Sequence, residues 1–364
     1  MQPKCICFFN SNKPWGGGEK WHYENALLAR DKGYRVCVVA NLESAFADRI
    51  EKEPGITLLR MDISSMSFLN PLPLLRLVRF FRRQAVKAVI LCLPADMKAG
   101  GIAAKLAGVP DIIYRRGIAV PVRDHWLNRM LFRHVLTKLI ANSANTRDCV
   151  LAENPRLIAP SRVHVINCGF DVEAFDALPT RELLQRRPGE ILIGNAGRLT
   201  HQKGQKLLID IAARLKKQPI PFHILIAGIG ELEAELKDYA REQAVDDVVE
   251  FLGFVSDMKS FHQHLDIFAL TSLWEGFCYV QVEAMVLRRP VVAWNVSSIP
   301  EVVTDGETGY LCTVSKVDDF ADRLLALMQD EALRKRMGDK GRARVIEHFE
   351  MRKTFADLEK CLNS

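Results

Sequence analysis

The sequence predicts an α/β protein made of two doubly wound, Rossmann-like domains. Three observations carry this. Short, continuously apolar runs alternate with helical patterns along nearly all 364 residues. The runs lack polar alternation, as strands buried on both faces do, and helix-length spacers between them mark parallel crossovers. The alternation breaks once, at the polar, proline-containing stretch "DALPTRELLQRRPGE" (176–190), and then starts afresh.

In the first half, strands are expected at 4–9 (KCICFF), 34–40, 56–61, 88–93, 111–115, 137–141 and 163–166, with helices at 18–31, 71–86, 97–107 and 143–152. In the second half, strands are expected at 190–195 (EILIGN), 222–227, 248–251, 266–270 and 290–294. The boundary is placed near 170–188. The domains are therefore 1–170 and 171–348, followed by a C-terminal helix over 349–364 that can pack back on the first domain. Phe349, Phe355, Leu358 and Leu362 are spaced for one face of that helix.

Composition narrows the class. Hydrophobic residues make up 48% and charged residues 26%, ordinary for a globular protein. No apolar run approaches the roughly 20 residues of a membrane span, and the start lacks a signal-peptide pattern. Nine cysteines without a C-x-x-C argue against a disulfide framework or a zinc site and for a reducing, cytoplasmic location. Charge is unevenly placed. Residues 1–170 hold 25 Lys and Arg against 13 Asp and Glu, a net +12, and the remainder nets −6. A basic half suits an acidic partner: a phosphorylated glycan, an anionic membrane surface or a nucleic acid. Without an aromatic-interleaved basic motif, nucleic acid is not expected. Within 71–87, Arg76, Arg79, Arg83 and Lys87 fall on one helical face and Leu74, Leu77, Val78 and Phe81 on the other. Such a helix can lie on anionic lipid, or pack on a core with a solvated basic face.

Four motifs carry chemistry. In "FFNSNKPWGGGEKW" a strand runs through Gly16, Gly17 and Gly18 into a helix, where backbone N–H groups can meet a phosphate. The spacing is neither that of a Walker A nor of a complete dinucleotide fingerprint. In "LIGNAGRLTHQKGQK", Arg198 and Lys203 follow a strand's carboxyl end, where open α/β sheets bind ligands, and two cations there suit a diphosphate. In "AGIGELEAEL", Gly228 and Gly230 match part of a dinucleotide fingerprint, too little to assign NAD. In "SLWEGFCYVQVEAM", Glu275 lies in a loop and Glu283 in the helix that follows. Between them the N–H groups of Phe277, Cys278 and Tyr279 line a helix start. A carboxylate at Glu283 can accept both hydroxyls of a ribose.

Together these elements resemble the retaining, nucleotide-sugar-dependent glycosyltransferases of the GT-B fold, family 4. The resemblance rests on Gly16–Glu19, "GRLTHQKG", "VINCGFDVEAF" (Asn167, Gly169, Asp171, Phe175), the Glu275-x₇-Glu283 pair and "IPEVVTDGETGYL". It covers essentially the whole chain and is strongest over 160–312. It implies two Rossmann-like domains facing a cleft. It implies transfer of a hexose-type sugar from a nucleoside-diphosphate donor, UDP-sugar favoured, to a glycan acceptor, with retention. The +12 domain makes that acceptor acidic or lipid-linked, such as a lipopolysaccharide core. By the same resemblance, Gly17 and Gly18 face the donor phosphates, and Arg198 and Lys203 neutralise the departing diphosphate. Glu275 contacts the sugar near the amides of Phe277 and Cys278, Glu283 binds the ribose, and Phe254 and Val255 flank the base. Members of this family often carry a histidine where this chain has Arg115 and Arg116, which become candidates for contact with the donor sugar or the acceptor. No cofactor or metal is implied, since the sequence has no Asp-x-Asp and protein cations can take that role. A nucleotide-sugar epimerase or a sugar phosphorylase of the same fold is the alternative.

Overall fold

The computed structural model describes residues 3–182 and 186–364. Residues 183–185 of the polar connection lie outside that description. The chain divides into two compact units: residues up to Gly169 together with Arg352–Ser364, and Phe170–Met351.

The first unit holds strands β1 (Cys5–Asn10), β2 (Arg35–Ala40), β3 (Ile56–Arg60), β4 (Val86–Leu91), β5 (Asp111–Arg116), β6 (Lys138–Ala141) and β7 (Val163–Val165). They form one parallel sheet in the order β3-β2-β1-β4-β5-β6-β7. Every residue of β1 is buried, because helices cover both faces. Chain order reverses between β1 and β4, so the loops after these two strands flank a crevice at the sheet's carboxyl edge.

Two sequence expectations need correcting here. The helix from Pro71 ends at Arg83, because Ala85 turns into the left-handed region (φ 49°). Lys87 therefore lies on β4 and not on the basic helical face. Leu77, Val78 and Phe81 are buried as the helical spacing requires, but Leu72 and Leu75 stay exposed beside Met66 and Leu69. The second correction concerns Phe349, which precedes the helix Met351–Asn363. It packs within the second unit, its ring 5.5 Å from that of Phe277. Phe355, Leu358 and Leu362 are buried. This helix is tied to the first unit by Lys32 Nζ–Glu359 at 2.7 Å, Tyr34 Oη–Glu359 at 3.0 Å and Lys138 Nζ donating to the Cys361 carbonyl at 2.6 Å.

The second unit holds β8 (Ile191–Ala196), β9 (Phe222–Ala227), β10 (Val249–Gly253), β11 (Ile267–Leu270), β12 (Val291–Trp294) and β13 (Gly309–Cys312), paired in parallel as β10-β9-β8-β11-β12-β13. The sequence reading missed β13. The order reverses between β8 and β11. Both units are thus doubly wound α/β folds of the expected kind. Among the described residues no helix is long and apolar enough to cross a membrane.

Candidate functional site

In the second unit, the loops after β8 and β11 meet at the point where strand order reverses. The first loop holds Arg198 and Lys203, the second Glu275 and Gly276. Lys203 Nζ lies 2.6 Å from Glu275 Oε1, with the two side chains 15% and 7% exposed. Burial pulls the Lys203 pKa down, but the Cys278 thiol and the Glu275 carboxylate outweigh it, so the ammonium is held above its ordinary value. Arg198 is exposed, and its charge also acts on Lys203.

A hydrogen-bond frame fixes both loops. Leu273 N donates to the Gln202 carbonyl at 2.8 Å and Gln202 Nε2 to the Trp274 carbonyl at 2.9 Å. Thr271 Oγ1 donates to the Lys203 carbonyl at 3.0 Å, and Ser298 Oγ to the Glu275 carbonyl at 3.2 Å. Gly204 follows Lys203 at φ 63°, and a Cβ there would stand 2.2 Å from the Thr271 carbonyl oxygen. Only glycine allows both that turn and that approach. The partial fingerprint at Gly228 and Gly230 has a structural cause instead. A Cβ at Gly228 would meet the Gly197 carbonyl oxygen at 1.9 Å, and one at Gly230 the Leu199 carbonyl oxygen at 2.3 Å. These glycines seat one loop against another.

The helix Tyr279–Val286 starts directly after Phe277 and Cys278. Cys278 is its N-cap, at φ 65° and ψ 81°, a left-handed conformation that side chains other than glycine adopt at a cost. Burial, then the nearby Glu275 carboxylate, pushes the Cys278 thiol up. Glu283, in the second turn, is 8% exposed, so it is no solvated helix residue. Its Oε2 lies 3.6 Å from Nε2 of His262, a residue that sequence reasoning did not single out. Ser272 Oγ, Gln281 Oε1, Thr200 Oγ1 and Gln205 Oε1 are buried here without a hydrogen-bond partner among the described residues. Polar atoms left open at a sheet's carboxyl edge suit a polar ligand. Phe254 and Val255 follow β10 at the same edge, Phe254 being 74% exposed.

In the first unit, Gly16 caps the helix Gly17–Asp31, leaving Gly17 exposed and Gly18 half-buried. Glu19 turns inward and accepts from Asn10 Nδ2 at 3.0 Å. Arg115 is only 2% exposed. Its guanidinium sits 4.3 Å from the Trp21 ring centroid and donates to Cys168 Sγ at 3.1 Å. Arg116 donates to Tyr114 Oη at 3.2 Å and to the Val120 carbonyl at 3.0 Å. Beneath the glycine loop, Asp96 accepts from Leu93 N at 2.8 Å and Ser11 N at 3.2 Å. Burial outweighs these donors and pushes Asp96 up to about 7. His22, fully buried with Arg115 nearby, is pulled down to about 3, and its Nδ1 donates to the Gly18 carbonyl at 3.0 Å.

Comparison with known proteins bears on the family and the fold. The family described as "Glycosyltransferase Family 4" matches residues 15–174, and "Glycosyl transferases group 1" matches residues 179–344. The D-inositol 3-phosphate glycosyltransferase of Kribbella flavida is 35% identical over 196 residues, covering 49% of this chain and 46% of that protein. The lipopolysaccharide core biosynthesis mannosyltransferase LpsB of Rhizobium meliloti is 29% identical over 215 residues, covering 56% and 61%. The matches thus span about half to three fifths of these two relatives. In fold, the Anabaena protein Alr3699/HepE, solved with UDP and glucose, superposes with a TM-score of 0.80 at 21% identity over 99% of both chains. With two Rossmann-like units, a lysine–glutamate pair at the second switch point and both family matches in sequence order, the chain belongs to the GT-B glycosyltransferases of group 1 and family 4.

Proposed function

We propose that this protein transfers a hexose-type sugar, with retention, from a nucleoside-diphosphate donor to a glycan acceptor. A UDP-sugar is the favoured donor, since the Anabaena structural neighbour was solved with UDP and glucose. The observation that carries the reading is the buried Lys203–Glu275 pair beside the start of the helix that holds Glu283. In this reading the bond between the anomeric carbon and the β-phosphate oxygen breaks, and its electron pair leaves on the diphosphate. The acceptor hydroxyl attacks on the same face, and its proton passes to the departing phosphate. Arg198, Lys203 and the N–H groups of Phe277 and Cys278 stabilise the charge that develops, where preorganised donors are most effective. Glu275 orients the sugar, Glu283 the ribose, and Phe254 and Val255 the base. In the first unit, the Gly17–Gly18 helix start offers N–H groups to an anionic group of the substrate.

Calorimetric titration with UDP, GDP, ADP and NAD tests the reading. One nucleoside diphosphate is expected to bind, about 10–100-fold more weakly in Glu283→Ala. Binding of NAD alone, or no effect of the substitution, overturns it. Because protein cations supply the neutralisation here, transfer is expected to persist in a chelator; its abolition, with recovery on adding a divalent cation, would overturn that part.

The acceptor in this reading is acidic or lipid-linked, such as a lipopolysaccharide core, and the protein works at the cytoplasmic membrane's inner face. The net +12 of residues 1–170 supports this, as does the exposed group Met66, Leu69, Leu72 and Leu75 beside Arg76 and Arg79. Apolar side chains rimmed by arginines suit an anionic bilayer. Flotation with phosphatidylglycerol vesicles at low salt should carry the protein, and Leu72→Ser/Leu75→Ser should release it. Equal binding to neutral vesicles, or none to anionic ones, counts against the membrane role.

A further inference from the structure

His262 lies in the helix Met258–His264, is fully buried, and has no part in the chemistry above. Its imidazole packs between two aromatic rings, with centroids 5.3 Å from Phe261 and 5.1 Å from Phe268. Neither ring nitrogen has a hydrogen-bond partner among the described residues. An apolar side chain would fill this wall without leaving two buried polar atoms open, so packing alone does not explain a histidine. The polar group its Nε2 approaches is Glu283 Oε2, at 3.6 Å.

One arginine ties the two helices together beside this approach. Arg289 lies just beyond the helix that carries Glu283. It donates from Nε to the His262 carbonyl at 3.1 Å and from Nη2 to the Gln263 carbonyl at 2.8 Å. One guanidinium thus ties the end of the histidine's helix to the end of the glutamate's. The Glu283 side chain keeps 10% of its surface open.

We propose that His262 is a positioning residue for Glu283. Its Nε2–H holds Oε2 from behind, so that the carboxylate turns its other oxygen to the vicinal hydroxyls of a nucleoside-diphosphate ribose. This rests on the ribose role given to Glu283 above. A glutamate's terminal torsion is broad, and a carboxylate has about four acceptor sites spread around two oxygens. Two vicinal hydroxyls require one fixed carboxylate plane. A donor behind the carboxylate fixes that plane, and only small rotations are needed to close 3.6 Å to hydrogen-bond distance.

The test uses whichever of UDP, GDP and ADP binds most tightly, with its 2′,3′-dideoxy counterpart. The readout is the ratio of the two dissociation constants in the full chain. The native protein should prefer the ribose form by about tenfold or more, and Glu283→Ala should abolish that preference. His262→Phe keeps the ring and its volume but removes the donor. It should cut the preference about fivefold or more and leave the dideoxy affinity in place. His262→Gln, which returns a donor near the Nε2 position, should restore most of it. If His262→Phe weakens both forms equally or keeps the ratio, the proposal is wrong. Should that variant not fold, His262→Leu takes its place under the same criterion. If Glu283→Ala leaves the ratio unchanged, the ribose assignment fails first and His262 falls with it. If none of the three nucleotides binds, the donor-site reading itself is overturned.

Discussion

Lys203 and Glu275 neutralise each other while nearly buried, so removing either leaves the other charged and unpaired. Lys203→Met is expected to destabilise the protein by about 3 kcal/mol and to lower kcat by about 10²–10³. Lys203→Met/Glu275→Gln should recover the melting temperature and leave kcat low, which separates structural loss from chemical loss. Cys278 makes a second residue-scale case. Its φ of 65° tolerates glycine and penalises β-branching. Cys278→Val should lower stability by about 1–3 kcal/mol while Cys278→Gly retains it, as thermal melts would register. The placement of Arg198, Lys203 and Glu275 after a strand's carboxyl end, and of Glu283 in the helix beyond, was legible in the sequence. Their pairing was not, since 72 residues separate Lys203 from Glu275 and no local pattern reports such a contact. His262 left no signal at all. Amid "SFHQHLDIF" it reads as one of two histidines in a short helix, and only the packed structure aims it at Glu283.

At the scale of elements, strands were legible because parallel strands buried on both faces are continuous apolar runs, as in "CICFFN". The exception, β13, is four residues, "GYLC", next to a Thr-Gly turn, too short and too punctuated for the pattern. Helix ends were harder. The run from Pro71 carries helical periodicity past its end, and only the left-handed Ala85 stops it. Loop geometry decides the site as much as its charges do. In Gly204→Ala the added methyl meets the Thr271 carbonyl at a position already at positive φ, so the loop holding Lys203 must move. A shift of this sort near reacting groups costs about 10²-fold in kcat/KM. Steady-state kinetics should find that loss with the melting temperature lowered by only a few degrees.

For the molecule as a whole, two buried groups of the first unit set opposing pH dependences. Native Asp96 titrates near 7, far above its unfolded value, so the native state keeps a proton that the unfolded chain has lost. Its contribution to stability therefore falls as pH rises from about 4 to about 7. Native His22 titrates near 3, so below about pH 6.5 the unfolded chain takes up a proton first, and stability falls as pH drops. Between about pH 4 and 6.5 these slopes oppose. In Asp96→Asn the melting temperature should rise across that window, and in His22→Gln it should fall. Melts with the same slope in both variants would contradict this assignment.

The helix Met351–Asn363 belongs to the first unit although some 180 residues of the second precede it. In order of synthesis, the unit that starts first is the one completed last. Until residues 352–364 leave the ribosome, the surface that Phe355, Leu358 and Leu362 will cover stays open, while the second unit already has its whole sequence. A chain ending at Met351 would therefore hold the whole sequence of the second unit and an incomplete first one. For the same reason residues 170–351 can be cut out as one uninterrupted segment, whereas 1–169 alone lacks a piece of its own core.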